Sequence, residues 1–311
     1  MSVCPAWSLI IVDGAEMVIS PPVHLPTQRA ERVKTAGAGL KDSAIAYFQA
    51  ESDLYAERYL VQAGGDVLQP RHRAILQMVN ALKLPQESKI LDLGCGPGAL
   101  SFDLAKQGYR GVGLDAAPAM IQRSKLQAAS EGVAGLWHYQ VGDVEALPFP
   151  NESFDAAICA GVIEYLPTDE AMLREAARVL TPGGRFILCV TNRYGYTVSL
   201  SSVLYRIKRM PGAVKLASTL RRIVVGGEYG VMRFGGLPRK HRPRAIREIM
   251  TKYGFRIDTD RYAHFTLLPT PFCALISKLR LAIDQGLEVL DRTPLRIIGS
   301  CYLLSARKEM H

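Results

Sequence analysis

Three aspartates stand where apolar runs end: Asp92 in KILDLGCGPGAL, Asp115 in RGVGLDA and Asp143 in YQVGDVEALPF. Gly94, Gly96 and Gly98 follow the first, with Cys95 and Pro97 between them. Glycines at that spacing let a backbone turn tightly and approach a ligand closely, and the helix that follows aims its N-terminus at it. Asp115 lies 21 residues beyond Gly94. From there a carboxylate can accept hydrogen bonds from both hydroxyls of a ribose. Asp143 can accept from the amino group of a base. Asp92 would repel a pyrophosphate but attract a ligand carrying ammonium or sulfonium charge. The set suits a nucleoside with a positively charged arm, although GCGPGA also satisfies the weaker dinucleotide pattern.

These residues need a frame to position them. KILDLG reads as a strand, PGALSFDLAKQG as a helix stopped by Gly108, and RGVGLDA as a second strand. PAMIQRSKLQAASEG is a helix with Pro near its start and Gly at its end. SFDAAICAGVIEYLP and EAMLREAARVLTPGGRFILCVTN add strand, helix, a Pro-Gly-Gly turn and strand. Such alternation predicts a parallel sheet covered by helices. RPRAIREIMTKYGF continues as a helix, FRIDTDRYAHFTLL as strand six and RIIGSCYLLSARK as strand seven.

Four motifs in order between about residues 88 and 192, ILDLGCGPG, GLDAAPAMI, GDVEALPFPNESFD and ARVLTPGGRFIL, resemble the class I S-adenosylmethionine-dependent methyltransferases, the ubiquinone-type enzymes among them. The resemblance implies an α/β fold: a Rossmann-like, doubly wound, seven-stranded, mostly parallel sheet with an antiparallel last strand and helical insertions on the acceptor side. It implies S-adenosylmethionine as cofactor. Asp92 and Gly94 would hold its methionine end, with Cys95, Gly96 and Gly98 along the turn. Asp115 would hold the ribose with Ala116 and Met120 beside it, Asp143 and Val144 the adenine, and Ala160 would close the floor. A non-catalytic S-adenosylmethionine-binding protein and an NAD-dependent Rossmann reductase are the alternatives.

Methyl transfer is an in-line displacement in which the protein chiefly aligns donor and nucleophile. A base is needed only where the acceptor carries a proton at neutral pH. His264 on strand six, Tyr165 after strand four and His241 are the residues placed for it, ahead of His72 and His138. Arg193 marks where acceptor contacts begin. Quinone methyltransferases of this kind can carry a metal-binding Glu-x-x-Glu-His stretch. Here Gly161-Val162-Ile163-Glu164-Tyr165 lacks the first acid and the histidine, so no metal is expected.

The rest of the chain shapes the expected acceptor. With 311 residues, 48% hydrophobic and 22% charged, it suits one large α/β domain with additions. Residues 1–40 are expected to be a poorly ordered N-terminal segment, and 41–311 a single domain with a basic helical insertion at 194–242 and an inserted helix at 270–291. AIAYFQAESDLYAERYL, residues 44–60, reads as a lid helix with Tyr55 and Tyr59 on one face. Between Arg193 and Arg247 thirteen Lys or Arg face one acid, Glu228, a net +12, so the rest of the chain carries −3 of the total +9. TVSLSSVLYRIKRM and AVKLASTLRRIVV are basic and amphipathic. Residues 197–225 therefore suit an anionic membrane surface, and the expected acceptor is a small, amphiphilic or lipid-like molecule such as a quinone, lipid or natural product. No Asn/Asp-Pro-Pro-Tyr/Phe motif follows strand four, and no nucleic-acid partner is expected. No apolar run is long enough to span a bilayer. The six cysteines, at 4, 95, 159, 189, 273 and 301, form no CxxC pair and read as buried reduced thiols. The expected location is the cytoplasm, with peripheral attachment at the inner face of the membrane.

Overall fold

The computed structural model describes residues 39–56, 68–200, 238–266, 283 and 286–310. Most of the basic insertion, most of the inserted helix at 270–291, Tyr59 and nearly all of the N-terminal segment 1–40 lie outside them. Helices α1 (Leu40–Ala50), α2 (Ser52–Ala56) and α3 (Leu68–Leu82) lead into β1 (Lys89–Leu93). There follow α4 (Ala99–Lys106), β2 (Arg110–Asp115), α5 (Pro118–Ser130), β3 (Trp137–Val141) and β4 (Phe154–Ala160). α6 (Glu170–Val179) and β5 (Leu180–Thr191) complete the family-like stretch. α7 (Pro243–Lys252), β6 (Phe255–Ala263) and β7 (Cys301–Lys308) close the sheet.

The seven strands lie in the order β3-β2-β1-β4-β5-β7-β6. β1 to β5 pair in parallel, and β7 runs antiparallel between β5 and β6. The expected sheet is the observed one. Its central strands are buried on both faces, which is why KILDL is almost wholly apolar. Ile90 packs with Ile75, Val79 and Leu104 on the face covered by α3, α4 and α5. Leu91 and Leu93 pack on the other face with Leu173, Ala176, Ile246 and Met250 of α6 and α7. Pro118 sits in the first turn of α5, where its missing N–H costs nothing.

Two local expectations are corrected. The single helix over 44–60 breaks at Glu51, with α2 starting anew at Ser52. His264 falls just beyond β6, in the left-handed region with φ 60°, although its carbonyl still accepts from Ser300 N–H.

Candidate cofactor site

The strand order reverses between β1 and β4, and the crevice at their carboxyl ends is where α/β sheets bind ligands. The turn after β1 is built for close approach. Gly94 N–H and Cys95 N–H both donate to Leu114 O, at 2.7 and 3.1 Å. This ties the turn to the end of β2. Gly94 has φ 72°, and a Cβ there would stand 2.1 Å from Val162 Cγ2; the turn after β4 occupies that space. Gly98 caps α4 in the left-handed conformation.

Asp115 is locked in place. Gly96 N–H donates to its Oδ2 at 3.0 Å and Ala117 N–H to its Oδ1 at 2.9 Å. Each oxygen keeps a lone pair for a further donor. Burial raises its pKa above the usual carboxylate value. Ser124 Oγ–H donates to Gly96 O at 2.7 Å and holds α5 against the turn.

A cavity opens here, with an empty volume of about 710 Å³, partly open to solvent. Gly94, Gly96, Asp115, Ala116, Met120, Asp143, Val144 and Ala160 line it, so eight of the eleven residues expected to bind the cofactor converge. The other three lie beneath. Cys95 is buried, its Sγ 2.9 Å from where a Cβ on Gly113 would stand. At Gly98 the corresponding position is filled by the Phe102 ring. Asp92 is only 3% exposed and accepts from Ser101 Oγ at 3.3 Å. Its charge acts on the cavity across the turn rather than from the cavity wall. Desolvation, reinforced by Asp115, pushes its pKa up to about 7.

Of the residues placed for a base, Tyr165 lines the cavity. Burial and then the neighbouring Glu164 push its phenol far above the usual value, which is wrong for taking a proton at neutral pH. His264 is corrected: it is not on the cavity wall. It is 7% exposed, its N–H donates to Glu288 Oε1 at 3.2 Å, and Ser300 N–H donates to its carbonyl. His241 is buried with Nε2 3.1 Å from Asp169 Oδ1, and His72 Nε2 lies 2.7 Å from Asp103 Oδ2. His138 is exposed on β3, and Arg193 is exposed too, its N–H donating to His241 O. Glu164 holds the ends of β4 and β5 together, accepting from Thr191 N–H at 2.7 Å and Thr191 Oγ1 at 2.9 Å.

The wall opposite the turn comes from α1 and α2. Lys41, Ala44, Ile45, Phe48 and Tyr55 line the cavity. Phe48 meets Tyr55 and Tyr165 edge to face, with centroids 5.4 and 5.7 Å apart. Gln49 Oε1 accepts from Ala119 N–H at 2.9 Å, and Asp53 pairs with Arg123 on α5. Tyr55, expected on a lid helix over 44–60, is on this wall, while Tyr59 lies outside the described residues. Nothing in the sequence foretold Lys41, whose Nζ reaches both Asp143 oxygens at 2.8 and 2.6 Å. The two residues are 102 positions apart, and a lone lysine in a polar first turn carries no periodic signal.

Residues 91–188 match the family described as Methyltransferase domain. Over these residues the chain is similar to the class I S-adenosylmethionine-dependent methyltransferases. The ubiquinone biosynthesis O-methyltransferase of Xanthomonas axonopodis pv. citri is 34% identical over 129 residues, 41% of this chain and 53% of its own length. The sterol 4-C-methyltransferase of Caenorhabditis elegans is 32% identical over 116 residues, 36% of this chain and 35% of its own length. The chain thus spans about half, or less, of the length of these curated relatives. Among solved structures, magnesium protoporphyrin IX methyltransferase from Synechocystis PCC 6803 with bound SAH superposes with a TM-score of 0.57 at 19% identity, covering 87% of this chain and all of that one. The [4+2]-cyclase SpnF superposes with a TM-score of 0.58 at 16% identity, covering 88% of this chain and 98% of that one. The methyltransferase fold therefore extends well beyond residues 91–188, over β6 and β7.

Proposed function

We propose that this methyltransferase domain binds S-adenosylmethionine between the β1 turn and the α1–α2 wall and transfers its methyl group to a small, apolar or amphiphilic acceptor. One observation carries the reading: seven residues from three of the four motifs, with Ala160 at the end of β4, meet around one cavity that holds the fixed Asp115 carboxylate and Asp143. Bound S-adenosylmethionine supplies a methyl group on a positively charged sulfur, already electrophilic. The protein's part is to hold the ligand and exclude water. Asp115 accepts from the ribose hydroxyls, Met120 and Val144 flank the nucleoside, and Asp143 accepts from the adenine amino group. Asp92 and Asp115 make the floor of the site negative, matching an ammonium-bearing arm. Phe48, Tyr55 and Tyr165 present aromatic faces that suit a sulfonium or a planar acceptor. Tyr165 serves as wall and not as base, because its phenol holds its proton far above neutrality.

The fold leaves the reaction open, since it hosts a [4+2]-cyclase as well as methyltransferases. The test is a labelled methyl donor added to lysate with the full chain, followed by metabolite profiling. Transfer of label to a small molecule supports the reading. Binding of S-adenosylhomocysteine without transfer to any acceptor favours a binding protein, and binding of NADH alone favours a reductase.

The acceptor class is proposed from charge and exposure. Tyr194 and Tyr196 are 47% and 44% exposed just ahead of the basic stretch. Asn192 beside them bonds Ile297 O and Gly299 O at 2.7 Å, bringing exposed Leu295 and Ile297 close. Aromatic and aliphatic residues beside a +12 segment suit the surface of an anionic bilayer, where each basic residue contributes about 1 kcal/mol. Among the described residues no helix is long and apolar enough to cross a membrane. Flotation with anionic vesicles tests the surface reading; retention that is lost when Arg206, Lys208 and Arg209 are neutralised supports it.

A further inference from the structure

The nucleobase end of the cavity is closed by a residue from outside the matched family region. Lys41, in the first turn of α1, lines the cavity and places its ammonium on two carboxylates of the loop after β3. The contacts are 2.8 Å to Asp143 Oδ1, 2.6 Å to Asp143 Oδ2 and 2.5 Å to Glu145 Oε2. The Asp143 side chain is 44% exposed, so burial does not orient it. Two contacts do: Lys41 Nζ, and Glu145 N–H, which donates to Oδ1 at 2.9 Å.

We propose that Lys41 is a specificity-determining positioning residue, fixing the Asp143 carboxylate so that the site accepts a 6-amino purine and rejects its 6-oxo counterpart. The proposal rests on the adenosyl reading given above. An ionised carboxylate offers only acceptors, and an ammonium offers three donors. Three carboxylate oxygens surround Nζ, matching those three donors. Lys41 therefore presents no donor to the base, and Asp143 presents none either. An exocyclic amino group finds an oriented acceptor, whereas a 6-oxo group meets acceptor against acceptor. Without Lys41 the half-exposed carboxylate can turn to water. The amino ligand then loses its partner and the oxo ligand loses its repulsion. Asp143 itself is legible in the GDVEALPF motif, but the residue that sets its direction arrives from α1, and only folding brings it there.

The test is calorimetry on the full chain with S-adenosylhomocysteine and with S-inosylhomocysteine, which differ at purine position 6, amino against oxo, and at the neighbouring N1, an acceptor against an N–H donor. The wild type is expected to prefer the adenine ligand by about 10-fold or more, the worth of one well-made hydrogen bond. In Lys41→Met the adenine ligand weakens about 10-fold, the hypoxanthine ligand barely changes, and the preference falls to within about 2-fold. Lys41→Arg, which keeps the charge and the donors, retains most of the preference and serves if the methionine variant does not fold. Equal weakening of both ligands would mean that Lys41 merely seats α1, and would overturn the proposal. An unchanged preference in Lys41→Met, or no preference in the wild type, would do the same. A wild type that binds neither ligand would overturn the adenosyl reading itself.

Discussion

Asp92 gives the sharpest test of the site's electrostatics. Its carboxyl is 3% exposed, has one hydrogen-bond donor in Ser101 and senses Asp115 nearby. Burial lifts its pKa from the ordinary 3.8 to about 7. Between those values the folded chain holds a proton that the unfolded chain has released. The native state thus binds more protons, and stability falls as pH rises. This group's contribution is fully present below about pH 4 and is lost progressively up to about pH 7. At about 1.4 kcal/mol per pH unit the whole span is worth at most about 4 kcal/mol. Asp92→Asn removes the ionisation and keeps the shape. The variant should be more stable than wild type, and its advantage should widen by up to about 3 kcal/mol between pH 5 and pH 8, levelling off above pH 7. Urea denaturation of both proteins at half-unit pH steps measures this, since titrations remote from Asp92 are shared and cancel in the difference. S-adenosylhomocysteine should bind the variant more weakly, because the negative floor has lost a charge. Parallel stability curves across that pH range would refute the argument.

Gly94→Ala should cost several kcal/mol, because a Cβ would stand 2.1 Å from Val162 Cγ2 on a backbone with φ 72°. Gly132→Ala has nearly the same φ, 71°, but open space around it, and should cost only about 1 kcal/mol; thermal melts of the pair separate clash from strain, and only Gly94→Ala should also lose ligand binding. Tyr165→Phe should keep S-adenosylhomocysteine affinity and lower turnover less than about 10-fold, since a phenol that holds its proton cannot serve as a base; a loss of about 1,000-fold would restore Tyr165 as a base. Native-state alkylation followed by peptide mapping should modify Cys301 before Cys95 and Cys159. Cys301 is the one of the three that is not fully buried as a residue, and its hydrogen bond with Cys189 holds its pKa low, whereas burial raises the other two.

The sequence by itself determined the sheet and named eight of the residues that line the cavity at its edge. Those features are written locally: β1, β2 and β4 are short, mostly apolar runs, and Gly94 and Asp115 stand at the ends of two of them. Gly94, Asp115 and Asp143 could therefore be named from spacing, because in a parallel sheet residues at the strand ends must gather along one edge. Tertiary structure decided what spacing cannot encode. It put Asp92 beneath the turn, because side chains alternate across a strand and this position faces the α4 layer, where Ser101 meets it. It dropped His264 out of strand six into a left-handed turn. It broke the 44–60 helix at Glu51 and swung Lys41 onto Asp143. Each of these depends on where a distant segment comes to rest, and a contact between residues a hundred positions apart is fixed by packing and charge in three dimensions, not by any period along the chain.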